Sequence, residues 1–148
     1  MCSSDLFKDS PLSIATNQII DRKDDNYAIT VEDYRGVRLP DGATNKPDRV
    51  NWEITATASP FKDTTGKEIR LSTMAIRFTK ASGQTTELSS VATLISSHDV
   101  SGETAKNTHL TKLSWGKSDG FKAIVHNKSG LEATTYTADV EFNLRTAP

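Results

Sequence analysis

Apolar and polar side chains alternate with a period of two in segment after segment of this chain, and that pattern leaves little room for helices. Tyr27, Ile29 and Val31 alternate with Ala28, Thr30 and Glu32, and Val50, Trp52, Ile54, Ala56 and Ala58 alternate with Asn51, Glu53, Thr55 and Thr57. Met74, Ile76 and Phe78 oppose Ala75, Arg77 and Thr79. The longest run sets Tyr136, Ala138, Val140, Phe142 and Leu144 against Thr137, Asp139, Glu141, Asn143 and Arg145. Successive side chains of a strand point to opposite faces, so each run predicts a strand with one buried face. Residues 12–16, 88–95 and 121–126 are weaker strand candidates.

Between the runs lie Pro40-Asp41-Gly42, Asp63-Thr64-Thr65-Gly66, Ser82-Gly83, Ser118-Asp119-Gly120 and Asn127-Lys128-Ser129-Gly130. Glycine supplies a positive φ, and Asp or Asn bonds its own following backbone, so these clusters predict turns. Residues 97–112 are polar and unpatterned, which predicts a long loop. Many short strands with regular punctuation predict an all-β chain folded as an antiparallel sandwich or barrel. No repeat, low-complexity linker or second domain interrupts the pattern.

The 148 residues suit one domain, and a chain of this size buries roughly 70% of its unfolded surface without help from a metal or disulfide. The net charge of −1 arises from 19 acidic and 18 basic residues that are intermingled. A nucleic-acid partner would call for a basic stripe, and a membrane-surface partner for a polybasic patch; neither is present. Apolar stretches are only a few residues long, so no insertion into a bilayer is expected.

The single cysteine, Cys2, excludes an internal disulfide framework. Met1-Cys2-Ser3-Ser4-Asp5-Leu6 back-translates, with a GTG start, to the end of a common sequencing adapter. Residues 1–6 are therefore expected to be a translated adapter scar, leaving 7–148 as the single domain. The rival reading, a lipidated Cys2, lacks a preceding apolar signal segment. Genomic DNA encoding these residues in frame would exclude the scar.

Chemistry-bearing patterns are sparse. His98, His109 and His126 lack metal-ligand spacing, no Gly-x-Ser-x-Gly elbow is present, and no Gly-rich phosphate loop occurs. Asp33, Asp139 and Glu141 are not marked as a catalytic pair, and Arg22-Lys23-Asp24-Asp25 reads as a solvated turn. Asn127-Lys128-Ser129 fits the N-glycosylation acceptor pattern, a three-residue match too short to carry a function. The expectation is a non-enzyme with no cofactor and no metal.

The run from Tyr136 to Pro148 resembles the distal motif of the WxL domain family of Gram-positive surface proteins. That motif runs Tyr, three residues, an aliphatic, Thr, Trp, any residue, Leu, three residues, Pro. Tyr136, Val140, Leu144 and Pro148 keep the spacing, while Glu141 replaces the threonine and Phe142 the tryptophan. Upstream, Trp52-Glu53-Ile54 is similar to the first Trp-x-Leu motif, and Val31-Glu32-Asp33-Tyr34-Arg35-Gly36 is similar to the Val-x-Asp-x-Arg-Gly turn that precedes it. Phe61 sits where family members carry a phenylalanine. The resemblance covers residues 12–148. It implies an immunoglobulin-like β-sandwich, secretion to the cell surface, and non-covalent attachment to peptidoglycan. It also implies assembly with other cell-surface proteins, including membrane-anchored partners. The loss of one indole weakens the wall-binding implication more than the fold.

On that basis the ligand-binding candidates are Trp52, Ile54, Tyr136, Phe142 and Leu144, with Trp115 as a possible further contact. An exposed tryptophan binds sugar by laying its flat face on the C–H face of a pyranose; phenylalanine keeps the face and loses the N–H donor. The opposing expectation is core packing, because Trp52 and Phe142 lie among apolar residues of their own faces. A middle reading makes the two motif strands neighbours whose aromatics line a groove at the sandwich end. Trp115, outside a clean run, is left open between contact and core edge, and Tyr27 and Tyr34 read as ordinary strand aromatics. The expected function is a non-catalytic module that binds peptidoglycan and holds its host protein on the wall. The alternative is a structural subunit that binds a membrane- or wall-anchored protein, with a motif strand pairing at an exposed sheet edge.

Overall fold

The computed structural model describes residues 6–12, 16–36, 50–100 and 110–147. Among them the chain forms strands β1 (Gln18–Ile20), β2 (Tyr27–Glu32), β3 (Trp52–Ala58), β4 (Met74–Thr79), β5 (Thr85–Glu87), β6 (Thr93–His98), β7 (Leu110–Trp115), β8 (Gly120–Val125) and β9 (Val140–Thr146), and no helix. The adapter reading of residues 1–6 falls almost wholly outside the described residues, as do Pro40-Asp41-Gly42, His109 and Pro148.

All pairings between these strands are antiparallel. One sheet has the order β1-β8-β4-β5, a second is the β2-β7 ribbon, and a third has the order β6-β3-β9. Ring contacts tie them into a sandwich: Trp115 of β7 meets Phe78 of β4 at 5.9 Å, and Phe142 of β9 meets Phe121 of β8 at 5.6 Å. The inner faces are those the alternation predicts. Trp52, Ile54, Ala56 and Ala58 of β3 and Met74, Ile76 and Phe78 of β4 are all buried in one core. Thr55, on the opposite face of β3, is buried as well, since β3 is flanked on both sides by β6 and β9.

Several expectations need correction. Residues 12–16 form no strand where described, and the first strand begins at Gln18. Within 88–95 the strand starts only at Thr93; Leu88 is fully buried and its N–H bonds to the carbonyl of Ile76. Val50 lies just before β3 and is exposed. Tyr136 and Ala138 precede β9, where Thr137 makes an isolated bridge to Lys62. The expected loop at 97–112 is shorter at both ends, because Ser97 and His98 belong to β6 and Leu110 to Lys112 to β7; residues 101–109 lie outside the described residues.

Arg22, expected in a solvated turn, is only 4% exposed. Its Nη1 donates to the carbonyls of Asp119 (2.9 Å) and Phe121 (2.8 Å), and its Nη2 to that of Gly116. The guanidinium thus clamps the turn joining β7 to β8. Gly120 in that turn has φ +82°, and a Cβ there would lie 2.7 Å from Cβ of Trp115 and 2.9 Å from Nη1 of Arg22. Only glycine fits both the backbone and the space.

Candidate functional site

A cleft of about 270 Å³ opens between the C-terminal ends of β2 and β9. Val31, Glu32, Asp33 and Arg35 form one wall, Leu144, Arg145 and Thr146 the other, and Trp52 contributes from β3. Three segments far apart in the chain therefore meet here: the Val31–Gly36 turn, the start of the Trp52 strand, and the distal strand.

Local chemistry explains each wall. In the turn, one carboxylate oxygen of Asp33 accepts the backbone N–H of Arg35 (3.1 Å) and its Nε (2.8 Å), while the other accepts Nη2 at 2.9 Å. That hydrogen bonding holds the Arg35 guanidinium pKa above its usual value. Gly36 then takes φ +66°, ending the turn in the left-handed region. The Asp-x-Arg-Gly spacing is thus a self-closing clamp, with two N–H donors of a planar fork on one carboxylate. Tyr34 stands 52% exposed beside it, and its hydroxyl donates to Glu32 at 3.2 Å. That bond and the Glu32 charge raise the phenol pKa above 10.0. On the opposite wall, Nε of Arg145 bonds Oε1 of Glu53 at 2.5 Å.

The two motif strands are neighbours, with Trp52 opposite Thr146, Ile54 opposite Leu144 and Ala56 opposite Phe142. They are not equally buried. Trp52 is 2% exposed and stacks on His98 at 4.8 Å, so its flat face is covered and only a flank borders the cleft. Ile54 is buried beneath. Leu144 is 53% exposed and Phe142 37%, which corrects the core expectation for Phe142: its ring touches Phe121 edge-on but its outer side is bare. Tyr136 lies away from the cleft, where its hydroxyl accepts the N–H of Glu132 and donates to the same residue's carbonyl, pinning the approach to β9. Trp115 is core, packed against Tyr27, Phe78 and Phe121.

Sequence reasoning missed the polar walls. Tyr34 read as a strand aromatic but sits exposed on a turn; the signal was the Asp-x-Arg-Gly that ends its strand. His98 covers Trp52, while His126 reaches Asn17 (2.9 Å) and Glu87 (2.6 Å). Among the described residues no group of three or more His, Cys, Asp or Glu is placed to hold a metal ion, and no helix is long and apolar enough to cross a membrane. Comparison with protein-family models, curated proteins and solved structures returns no match.

Proposed function

We propose that this chain is a non-catalytic module of a Gram-positive surface protein that attaches its host to the cell wall by binding peptidoglycan in the β2–β9 cleft. The supporting observation is convergence: the turn, the Trp52 strand and the distal strand, the three segments that resemble WxL motifs, border one cleft. Its walls suit a glycopeptide. Carboxylates of Glu32 and Asp33 accept hydroxyl and amide donors, and Arg35 and Arg145 meet peptide carboxylates; Tyr34, which neighbours the lining residues without being one of them, offers an exposed ring face that buried Trp52 does not. Shallow contact at each site is enough on a polymer, because neighbouring sites raise the effective concentration. A second reading, a subunit that binds an anchored surface protein instead, is favoured by one observation: Trp52, the expected sugar platform, is covered by His98.

Co-sedimentation of the full chain with sacculi, with and without their protein and teichoic acids, tests both. Wall binding predicts saturable pelleting with stripped sacculi that falls about tenfold in Tyr34→Ala or Arg35→Ala, each loss being one stacking or charge-assisted contact. Pelleting that requires the wall's own proteins would replace it with the subunit reading.

A further inference from the structure

We infer that β9 pairs with β9 of a second copy of this chain, joining two β6-β3-β9 sheets across a twofold axis at Asn143. This goes beyond the wall-binding proposal and does not depend on it, although it engages Leu144, Arg145 and Thr146, which also form one wall of the cleft.

The backbone comes first. Ala147 N–H bonds Asn51 O at 2.8 Å and Ser59 N–H bonds Asp139 O at 2.9 Å, in line with the β3–β9 register. Hydrogen-bonded and non-bonded pairs alternate along an antiparallel ladder, so residues 141, 143 and 145 turn their peptide groups toward β3. Residues 140, 142, 144 and 146 turn theirs outward, and among the described residues β9 pairs with β3 alone. Four other edge strands are blunted in ways that discourage pairing: β1 and β5 are three residues long, β6 shifts register opposite Ile54/Thr55, and β7 carries Lys112; β2, the remaining edge, is shorter than β9 and lacks a pair of opposite charges spaced as Glu141 and Arg145 are. By contrast β9 has seven residues, continuous register, and neither Lys nor Pro.

The side chains then select the partner. An axis at Asn143 sets Val140 against Thr146, Glu141 against Arg145, Phe142 against Leu144 and Asn143 against itself. Every outward-facing peptide group then lies opposite another one. Both exposed apolar side chains, Phe142 and Leu144, cover each other on one face. Two Glu141–Arg145 pairs form on the other face, at the non-bonded positions where side chains come closest. The bond of Arg145 to Glu53 uses Nε and leaves the terminal amino groups to reach Glu141 of the second copy. Sliding by one residue turns inward-facing peptide groups to the new partner. Sliding by two puts Glu141 or Arg145 opposite Asn143, and both ion pairs are lost.

Sedimentation velocity of the full chain over a wide concentration range is the first test, in a Cys2→Ser background. A reversible dimer is expected, weakened about tenfold by Glu141→Arg or by Arg145→Glu, each of which sets like charges opposite one another at two positions. Mixing these two folded variants is expected to restore association, since each then meets its opposite charge. Asn143→Cys is expected to form a covalent dimer on mild oxidation, and Glu141→Cys is not. A wild-type chain monomeric throughout, a dimer indifferent to Glu141→Arg, or equal cross-linking at both positions would overturn the inference. Loss of the dimer in Glu141→Arg, a residue outside the cleft lining, with sacculus binding intact would leave the wall-binding proposal standing.

Discussion

The two ends of β2 use the same residue types to opposite effect. At the Tyr27 end, Arg22 and Trp115 close the sandwich: the guanidinium is buried among backbone carbonyls, and the indole packs against Tyr27, Phe78 and Phe121. At the Glu32 end, Arg35 and Trp52 border an open cleft, and the guanidinium is spent on a neighbour two residues away. A cation that satisfies neutral carbonyls from distant strands locks topology. One that satisfies a carboxylate two residues away shapes its own turn. One end of β2 is thus closed by packing, and the other borders an open cleft.

The sharpest way to break that contrast is truncation. Trp115→Ala is expected to cost about 3–5 kcal/mol, and so is Trp52→Ala, because both indoles are buried whatever they border. Leu144→Ala, on the open wall, is expected to cost less than about 1 kcal/mol. Urea denaturation measures all three. A Leu144→Ala loss equal to that of Trp115→Ala would show that the cleft is closed in solution. A Trp52→Ala chain of normal stability would point the other way, making the indole an exposed contact residue rather than core.

Smaller differences separate the two arginines. Arg22→Met leaves buried carbonyls of the β7–β8 turn without their donor, a loss of about 1–3 kcal/mol. Arg35→Met removes a pair whose side chains are 28% and 14% exposed, Arg35 and Asp33 respectively, and such partly solvated pairs contribute about 1 kcal/mol or less. Thermal melts of the two variants should therefore differ, with Arg22→Met the lower. Equal melting temperatures would mean that Arg22 holds the turn no more firmly than Arg35 holds its own.

The alternation made β2, β3, β4 and most of β9 legible because it reports which face of a strand is apolar, whereas β8 was only a weaker candidate. It set Phe142 and Leu144 on the apolar face of their strand and Ile54 and Ala56 on that of theirs, and the β3–β9 register brings the two faces together. Whether another layer covers that face is a property of neighbouring strands, and no residue of β9 records it. Arg22 was illegible for the same reason: beside Asp24 and Asp25 it reads as solvent-facing, while its acceptors at Gly116, Asp119 and Phe121 lie more than ninety residues away. Trp115 was obscured by the polar run before it, although Thr111, Leu113 and Trp115 do share the less exposed face of β7. The cleft was half legible. Motif spacing marked its three segments, but their meeting depends on the β3–β9 register and on where β2 runs, which spacing alone does not encode.

The finest difference lies in two tyrosines, one at each end of β2. Both phenols titrate above 10.0, for different reasons: Tyr27 chiefly because burial disfavours the phenolate, against an opposing pull from Arg22, and Tyr34 because Glu32 accepts its proton and repels the charged form. The folded chain holds the Tyr27 proton more tightly than the unfolded chain does. The stability this contributes is complete below pH 10.0 and is lost as pH rises through the raised folded value. Tyr27→Phe should therefore flatten the alkaline fall in stability. Glu32→Gln should return Tyr34 toward 10.0 and leave Tyr27 where it is, and high salt should act in the same direction on Tyr34 by screening the carboxylate. Absorbance or NMR titration of the two rings separates the cases. If Glu32→Gln moved both, the ends of β2 would be electrostatically coupled, and the division into a closed end and an open end would fail.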